Sequence, residues 1–126
     1  MTSMPEQWLV SLVDDDDSVR ESLPVLLEAF GLSARAFASA EAFLASDAIG
    51  ETHCLILDIT MPGLSGPELH RELLLRGFRI PVVFITAHRD EPYRQYLIEQ
   101  GAIECLFKPF SEAALLQALK IVTSAS

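Results

Sequence analysis

CLILDITMPGLSGPELHRELLLRGFRIPVVFIT, residues 54–86, decides the fold of this chain. It holds two runs, Cys54 to Leu57 and Pro81 to Ile85, that are apolar at successive positions instead of alternating ones. A half-exposed strand alternates, whereas a strand covered on both faces reads as a continuous apolar run, the pattern of parallel sheets. Between the runs, Leu69 and Leu73 share a helical stripe, and Gly77 follows it where a left-handed residue is wanted at a helix end. The stretch reads as strand, helix, strand.

The same grammar extends in both directions. Apolar runs from Trp8 to Val13 and from Leu32 to Phe37 precede it, and one from Ile103 to Phe107 follows. Val19, Leu23, Leu26, Leu27 and Phe30 form a helical stripe after the first run, and Leu115, Leu116, Leu119 and Val122 form another after the last. Gly31 and Gly101 follow helical patterns as Gly77 does, and Ser39 and Ser111 stand where N-caps belong. The predicted order is βαβαβαβαβα, an α/β class whose strict alternation implies a parallel sheet with right-handed crossovers and helices on both faces. Pro24 falls inside the first helix and removes the bond from its own nitrogen to the Arg20 carbonyl, so a kink is expected there. There is no internal repeat, low-complexity tract or linker, and the tail after Val122 is short and polar.

Composition narrows the function classes. At 126 residues and 50% hydrophobic, the chain fits one domain with a real core. The opening MTSMPEQWLV lacks the basic start and apolar stretch of a secretion signal, so a cytoplasmic protein without a membrane partner is expected. Cys54 and Cys105 lie in apolar segments without C-x-x-C spacing, which fits reduced, buried thiols. The net charge of -9 opposes direct nucleic-acid binding, which depends on neutralising phosphates.

In open α/β sheets, ligands gather beyond the carboxyl ends of the strands. Here the first run ends in Asp14 and Asp15, the third in Asp58, the fourth in Thr86 and the fifth in Lys108. Taken singly, each has a bland reading: a solvated acidic loop, a local turn hydrogen bond, a commonplace Lys-Pro pair. Together they form a chemical set. Clustered carboxylates repel unless a cation compensates, and Mg²⁺ suits a site offering one or two carboxylates plus a phosphate oxygen. A carboxylate can then act as nucleophile towards phosphorus while Lys108 and Thr86 hold the other phosphoryl oxygens.

These motifs resemble those of the response-regulator receiver family of bacterial two-component systems. LVDDDD at 12–17 resembles the family's acidic pair, LDITMPGLSG at 57–66 its phosphoacceptor loop, FITAH at 84–88 its Thr/Ser position and FKPF at 107–110 its Lys-Pro. DDDDSVRESL is most similar to receivers that precede helix-turn-helix output domains in transcription regulators. The resemblance runs from about Leu9 to Val122. It implies a doubly wound (βα)5, flavodoxin-like three-layer sandwich with a five-stranded parallel sheet of order 2-1-3-4-5. The whole chain, 1–126, is read as a single receiver domain with its core at about 8–122 and no output domain. The resemblance further implies that Asp58 is phosphorylated by a sensor histidine kinase or a histidine phosphotransfer protein. Mg²⁺ would be held by Asp15, Asp58 and the backbone carbonyl of Thr60, with Asp14 acting mainly through water. Thr86 and Lys108 would contact the phosphoryl group, and the Lys108–Pro109 bond is expected to be cis. Asp16 and Asp17 match no liganding position and are read as loop charges favourable at the following helix N-terminus.

Departures from the family pattern raise the remaining questions. Many members carry a switching aromatic three residues before the Lys, where this chain has Cys105. Phe107 should face the same side as Cys105, and its expected role is packing. Thr60 and His88 occupy positions that tune dephosphorylation in similar receivers, which makes His88 a candidate modulator; its plainer reading is an exposed loop histidine. His53 and His70 have no motif context.

The expected function is a stand-alone response regulator that catalyses only its own phosphorylation and autodephosphorylation and signals to an unknown downstream protein target, as a monomer or a phosphorylation-linked dimer. Tyr93, Tyr96, Arg94 and Arg89 suit an interface, and ordinary helix packing as well. The alternatives are a receiver module of a DNA-binding transcription regulator and a pseudo-receiver that works without phosphorylation. The aspartate-nucleophile phosphatases are set aside, because the second Asp of their DxD pattern is Thr60 here.

Overall fold

The computed structural model describes residues 8–125; the opening MTSMPEQ, read above for secretion features, and Ser126 lie outside the described residues. Five strands appear: β1 (Leu9–Val13), β2 (Ser33–Phe37), β3 (Cys54–Asp58), β4 (Val82–Thr86) and β5 (Glu104–Phe107). They alternate with α1 (Asp17–Ala29), α2 (Ala40–Leu44), α3 (Gly66–Leu75), α4 (Glu91–Glu99) and α5 (Glu112–Ala125). All strand pairs are parallel and the order is β2-β1-β3-β4-β5, as expected for a flavodoxin-like doubly wound sheet.

The apolar runs at 54–57 and 82–85 are continuous because the sheet is covered twice. Leu55, Leu57, Val82 and Phe84 join one core with Phe43, Leu69, Leu73 and Leu97, from α2, α3 and α4. Cys54, Ile56, Val83 and Ile85 join the other, with Leu23, Leu27, Leu115 and Leu119 from α1 and α5. Each fully buried aliphatic side chain contributes about 1.5–3 kcal/mol, and a one-residue slip would exchange the two sets. By contrast, β2 lies at the sheet edge and is largely exposed.

Local signals behave as read. Ser39 and Ser111 accept from the amides of Ala42 and Ala114, and Gly31, Gly77 and Gly101 take positive φ directly after helices. Strand starts differ by a single residue, Trp8, Leu32, Pro81 and Ile103 falling just outside. Two features were not anticipated. A 3₁₀ turn, Asp47–Gly50, sits between the five-residue α2 and β3, capped by Ser46. The polar tail after Val122 is not separate: α5 continues to Ala125, with Thr123 and Ser124 hydroxyls bonded to the Lys120 carbonyl. Pro24 lies inside α1, which is one helix from Asp17 to Ala29.

Candidate functional site

The strand order reverses between β1, which is flanked by β2, and β3, which leads on to β4 and β5. Such a switch point leaves a crevice at the carboxyl ends of the two strands. Asp14 and Asp15 follow β1 directly and Asp58 ends β3. One carboxylate oxygen from each of the three lies within 4.8 Å of the others, with Asp14 and Asp58 buried and Asp15 exposed.

Each side chain has a distinct holder. Asp14 is fully buried and already engaged: Oδ1 accepts from the Asp16 amide at 2.9 Å and Oδ2 from Lys108 Nζ at 2.8 Å. Arg20 adds a bond of 2.9 Å to the Asp14 carbonyl. Asp16 is the N-cap of α1, accepting from the Ser18 amide, and Asp17 pairs with Arg20, so both serve the helix start. Lys108 lies between the acids, its Nζ 3.7 Å from Asp58 Oδ1. It is delivered there by a 2.7 Å bond from its amide to the Thr86 carbonyl and precedes a cis bond to Pro109. Thr86 is buried, and its Oγ1 accepts from the His88 amide at 3.1 Å.

The charge balance favours a divalent cation. Burial first, then the neighbouring Asp14 charge, pushes the Asp58 carboxyl up to about 7, against the opposing pull of Lys108. Burial acts to lower the Lys108 ammonium, but its hydrogen bond to Asp14 and the charges of Asp14 and Asp58 outweigh this and hold it above its ordinary value. One ammonium faces Asp14 and Asp58, and Asp15 adds a third carboxylate to the cluster, an accumulation of negative charge that a hard cation relieves. The residues fit Mg²⁺: Asp14, Asp15 and Asp58 each offer a carboxylate oxygen, and each Asp14 oxygen also accepts one hydrogen bond from the protein. Thr60 is exposed in the loop after β3, on the rim of a cavity of about 190 Å³ that also meets Thr86, His88, Cys105 and Phe107.

That cavity lies where the usual aromatic is missing. Cys105 is 2% exposed, its thiol raised by burial to about 11, so it is an inert wall. Phe107 lines the same cavity, with the Arg89 guanidinium 5.6 Å from its ring centroid. On α4, Tyr93 and Tyr96 stack and are exposed, but Arg94 turns inward: Nε donates to the Cys105 carbonyl at 3.0 Å and a terminal nitrogen to Glu104 at 2.6 Å. Of the four residues considered for an interface, Arg94 instead ties α4 to β5. His53 lies at the opposite end of the sheet, accepting from the Leu9 amide and stacking on Trp8.

Two contacts near Asp58 carried no weight in the sequence reading. A Cβ on Gly66 would come 2.3 Å from the Asp58 carbonyl oxygen, so α3 can start this close to the acceptor strand only with glycine there. Glu41 of α2 accepts from the Leu64 amide at 3.0 Å. The spacing of Gly66 within LDITMPGLSG was a usable signal; Glu41, 23 residues before Leu64, offered none.

A family model for the response regulator receiver domain matches residues 10–120. The transcriptional regulatory protein FixJ of Azorhizobium caulinodans is 43% identical over 117 residues, 93% of this chain and 56% of that protein. Nodulation protein W of Bradyrhizobium diazoefficiens is 41% identical over 122 residues, 97% of this chain and 54% of that protein. This chain therefore spans about half the length of the curated relatives it matches. Among solved structures, the crystal structure of FixJ-N aligns with a TM-score of 0.81 at 34% identity, covering 93% of this chain and 94% of that one. The acids at the β1–β3 switch point are thus set in a sheet whose sequence matches the family almost end to end, and the chain belongs to the response regulator receiver domains of two-component systems.

Proposed function

We propose that Asp58 is the phosphoacceptor of this receiver, taking its phosphoryl group from a phosphohistidine on a sensor histidine kinase or phosphotransfer protein. An Asp58 carboxylate oxygen attacks phosphorus. The bond from phosphorus to the imidazole nitrogen breaks, and that nitrogen keeps the electron pair and takes up a proton. Asp15, Asp58 and the Thr60 carbonyl would hold Mg²⁺, with Asp14 acting through water. The ion, when bound, neutralises charge on the transferring group and on the acids around it. Lys108 and Thr86 bind the remaining phosphoryl oxygens, Thr86 by donating its O–H, the hydroxyl whose oxygen accepts from the His88 amide. His88, exposed and lining the same cavity as Thr60 and Thr86, modulates the lifetime of the phosphorylated state, and Cys105 leaves the signal to travel without the usual aromatic. The activity is self-directed: phosphorylation and autodephosphorylation of this chain, not turnover of an external substrate.

The observation that carries this reading is Lys108 Nζ placed 2.8 Å from Asp14 and 3.7 Å from Asp58, uniting three strand ends. Incubation with Mg²⁺ and acetyl phosphate, followed by intact mass, should add one phosphoryl group to the wild type and none to Asp58→Asn. Modification that survives in Asp58→Asn, or none in the wild type even with beryllofluoride monitored by NMR, would overturn it.

The output of this receiver is then phosphorylation-dependent protein binding by a stand-alone, cytoplasmic regulator. Free buried cysteines fit a reducing compartment, and among the described residues no helix is long and apolar enough to cross a membrane. A second reading is favoured by the relatives: FixJ is named a transcriptional regulatory protein, and only about half of it is matched here. In that reading the receiver controls a DNA-binding segment, and with a net charge of -9 these 126 residues leave DNA contact to that segment.

A further inference from the structure

The loop from Asp58 to α3 is fixed at both ends. The Ile59 amide donates to the Ile85 carbonyl at 3.0 Å, the Gly66 amide donates to the Ile59 carbonyl at 2.9 Å, and Met61 is buried. Its middle is held by a different element. Ser39 caps α2 and sets Glu41 in the first turn, from which Oε2 accepts the Leu64 N–H at 3.0 Å. Gly63 makes room for this: its φ of 76° lies in the left-handed region, and a Cβ there would come 2.8 Å from the same Oε2. The carboxylate thus occupies the space a side chain at 63 would need. A charged acceptor strengthens a backbone N–H bond, and solvent exposure of this one moderates the gain.

We propose that Glu41 is a positioning residue of the phosphoacceptor site, latching the loop through Leu64 so that the Thr60 carbonyl stays where a metal ligand is required. This rests on the reading in which that carbonyl holds Mg²⁺. Glu41 is not itself a ligand; it acts through the backbone, as groups that orient a metal's ligands do.

The test compares wild type with Glu41→Ala, Glu41→Gln and Glu41→Asp, reading Mg²⁺ affinity from amide shifts and, without metal, hydrogen exchange at the Leu64 amide. Glu41→Ala should weaken Mg²⁺ about tenfold and speed Leu64 exchange by a similar factor. Gln keeps the length and an acceptor oxygen, and should stay within about threefold of wild type; Asp keeps the charge but not the reach, and should fall with Ala. Unchanged affinity or unchanged Leu64 exchange in Glu41→Ala overturns the latch. So does an Asp variant that binds as wild type while Gln falls, since charge alone then accounts for the effect. A wild type that shows no Mg²⁺ binding overturns the phosphoacceptor reading itself, and Leu64 exchange still decides whether the latch exists.

Discussion

Replacing Asp58 by Asn should make the metal-free protein more stable at neutral pH, although it destroys the proposed acceptor. Asp58 is 6% exposed, and burial together with Asp14 raises its carboxyl from an ordinary 3.8 to about 7. In the unfolded chain the proton leaves near 3.8; in the folded protein it leaves near 7. Between those values the unfolded state binds fewer protons, so stability falls as pH rises through this window and stays low above it. A shift of about three units at about 1.4 kcal/mol each sets a ceiling of about 4 kcal/mol. The Asn amide has its own hydrogen-bonding needs in a buried pocket, which reduces the expected gain to about 2–4 kcal/mol. Urea unfolding of both proteins in EDTA, at pH 4.5, 5.5, 6.5 and 7.5, reads this directly. The gap should be small at pH 4.5 and grow to pH 7.5, then narrow when saturating Mg²⁺ stabilises the wild type. Comparing the two proteins at each pH removes the contribution of carboxylates they share, such as Asp47 in its pair with Arg35. A gap that does not vary with pH, or one that shrinks as pH rises, would refute the electrostatic account of the pocket.

The same raised carboxyl links metal binding to proton release: Mg²⁺ affinity should climb about tenfold from pH 6 to pH 8, and a flat titration would count against Asp58 as a ligand. Gly66→Ala should cost about 2–3 kcal/mol in urea unfolding and slow labelling by acetyl phosphate, because the added Cβ meets backbone atoms of Asp58 and Ile59 that cannot swing aside. Wild-type stability in that variant would show that α3 can shift without moving Asp58.

The sequence by itself determined the order of elements and the chemistry of the crevice. Continuous apolar runs identify strands that must be covered on both faces, and the acids and lysine sit at their carboxyl ends because sequence position along a strand fixes which end of the sheet a residue reaches. Helix caps such as Ser39 and Ser111 were legible for the same reason: their partners lie three residues away. Tertiary structure decided contacts between distant segments. Lys108 meets Asp14 across 94 residues, Glu41 reaches Leu64, and Arg94 turns from the surface of α4 to the Cys105 carbonyl and Glu104 on β5. A charged side chain on a short amphipathic helix reads the same whether it ends in water or on a neighbouring strand. The distinction depends on how far α2 and α4 stand from the loops and edges beside them, a spacing set by the packing of buried side chains such as Phe43, Phe84 and Leu97, which no local pattern specifies.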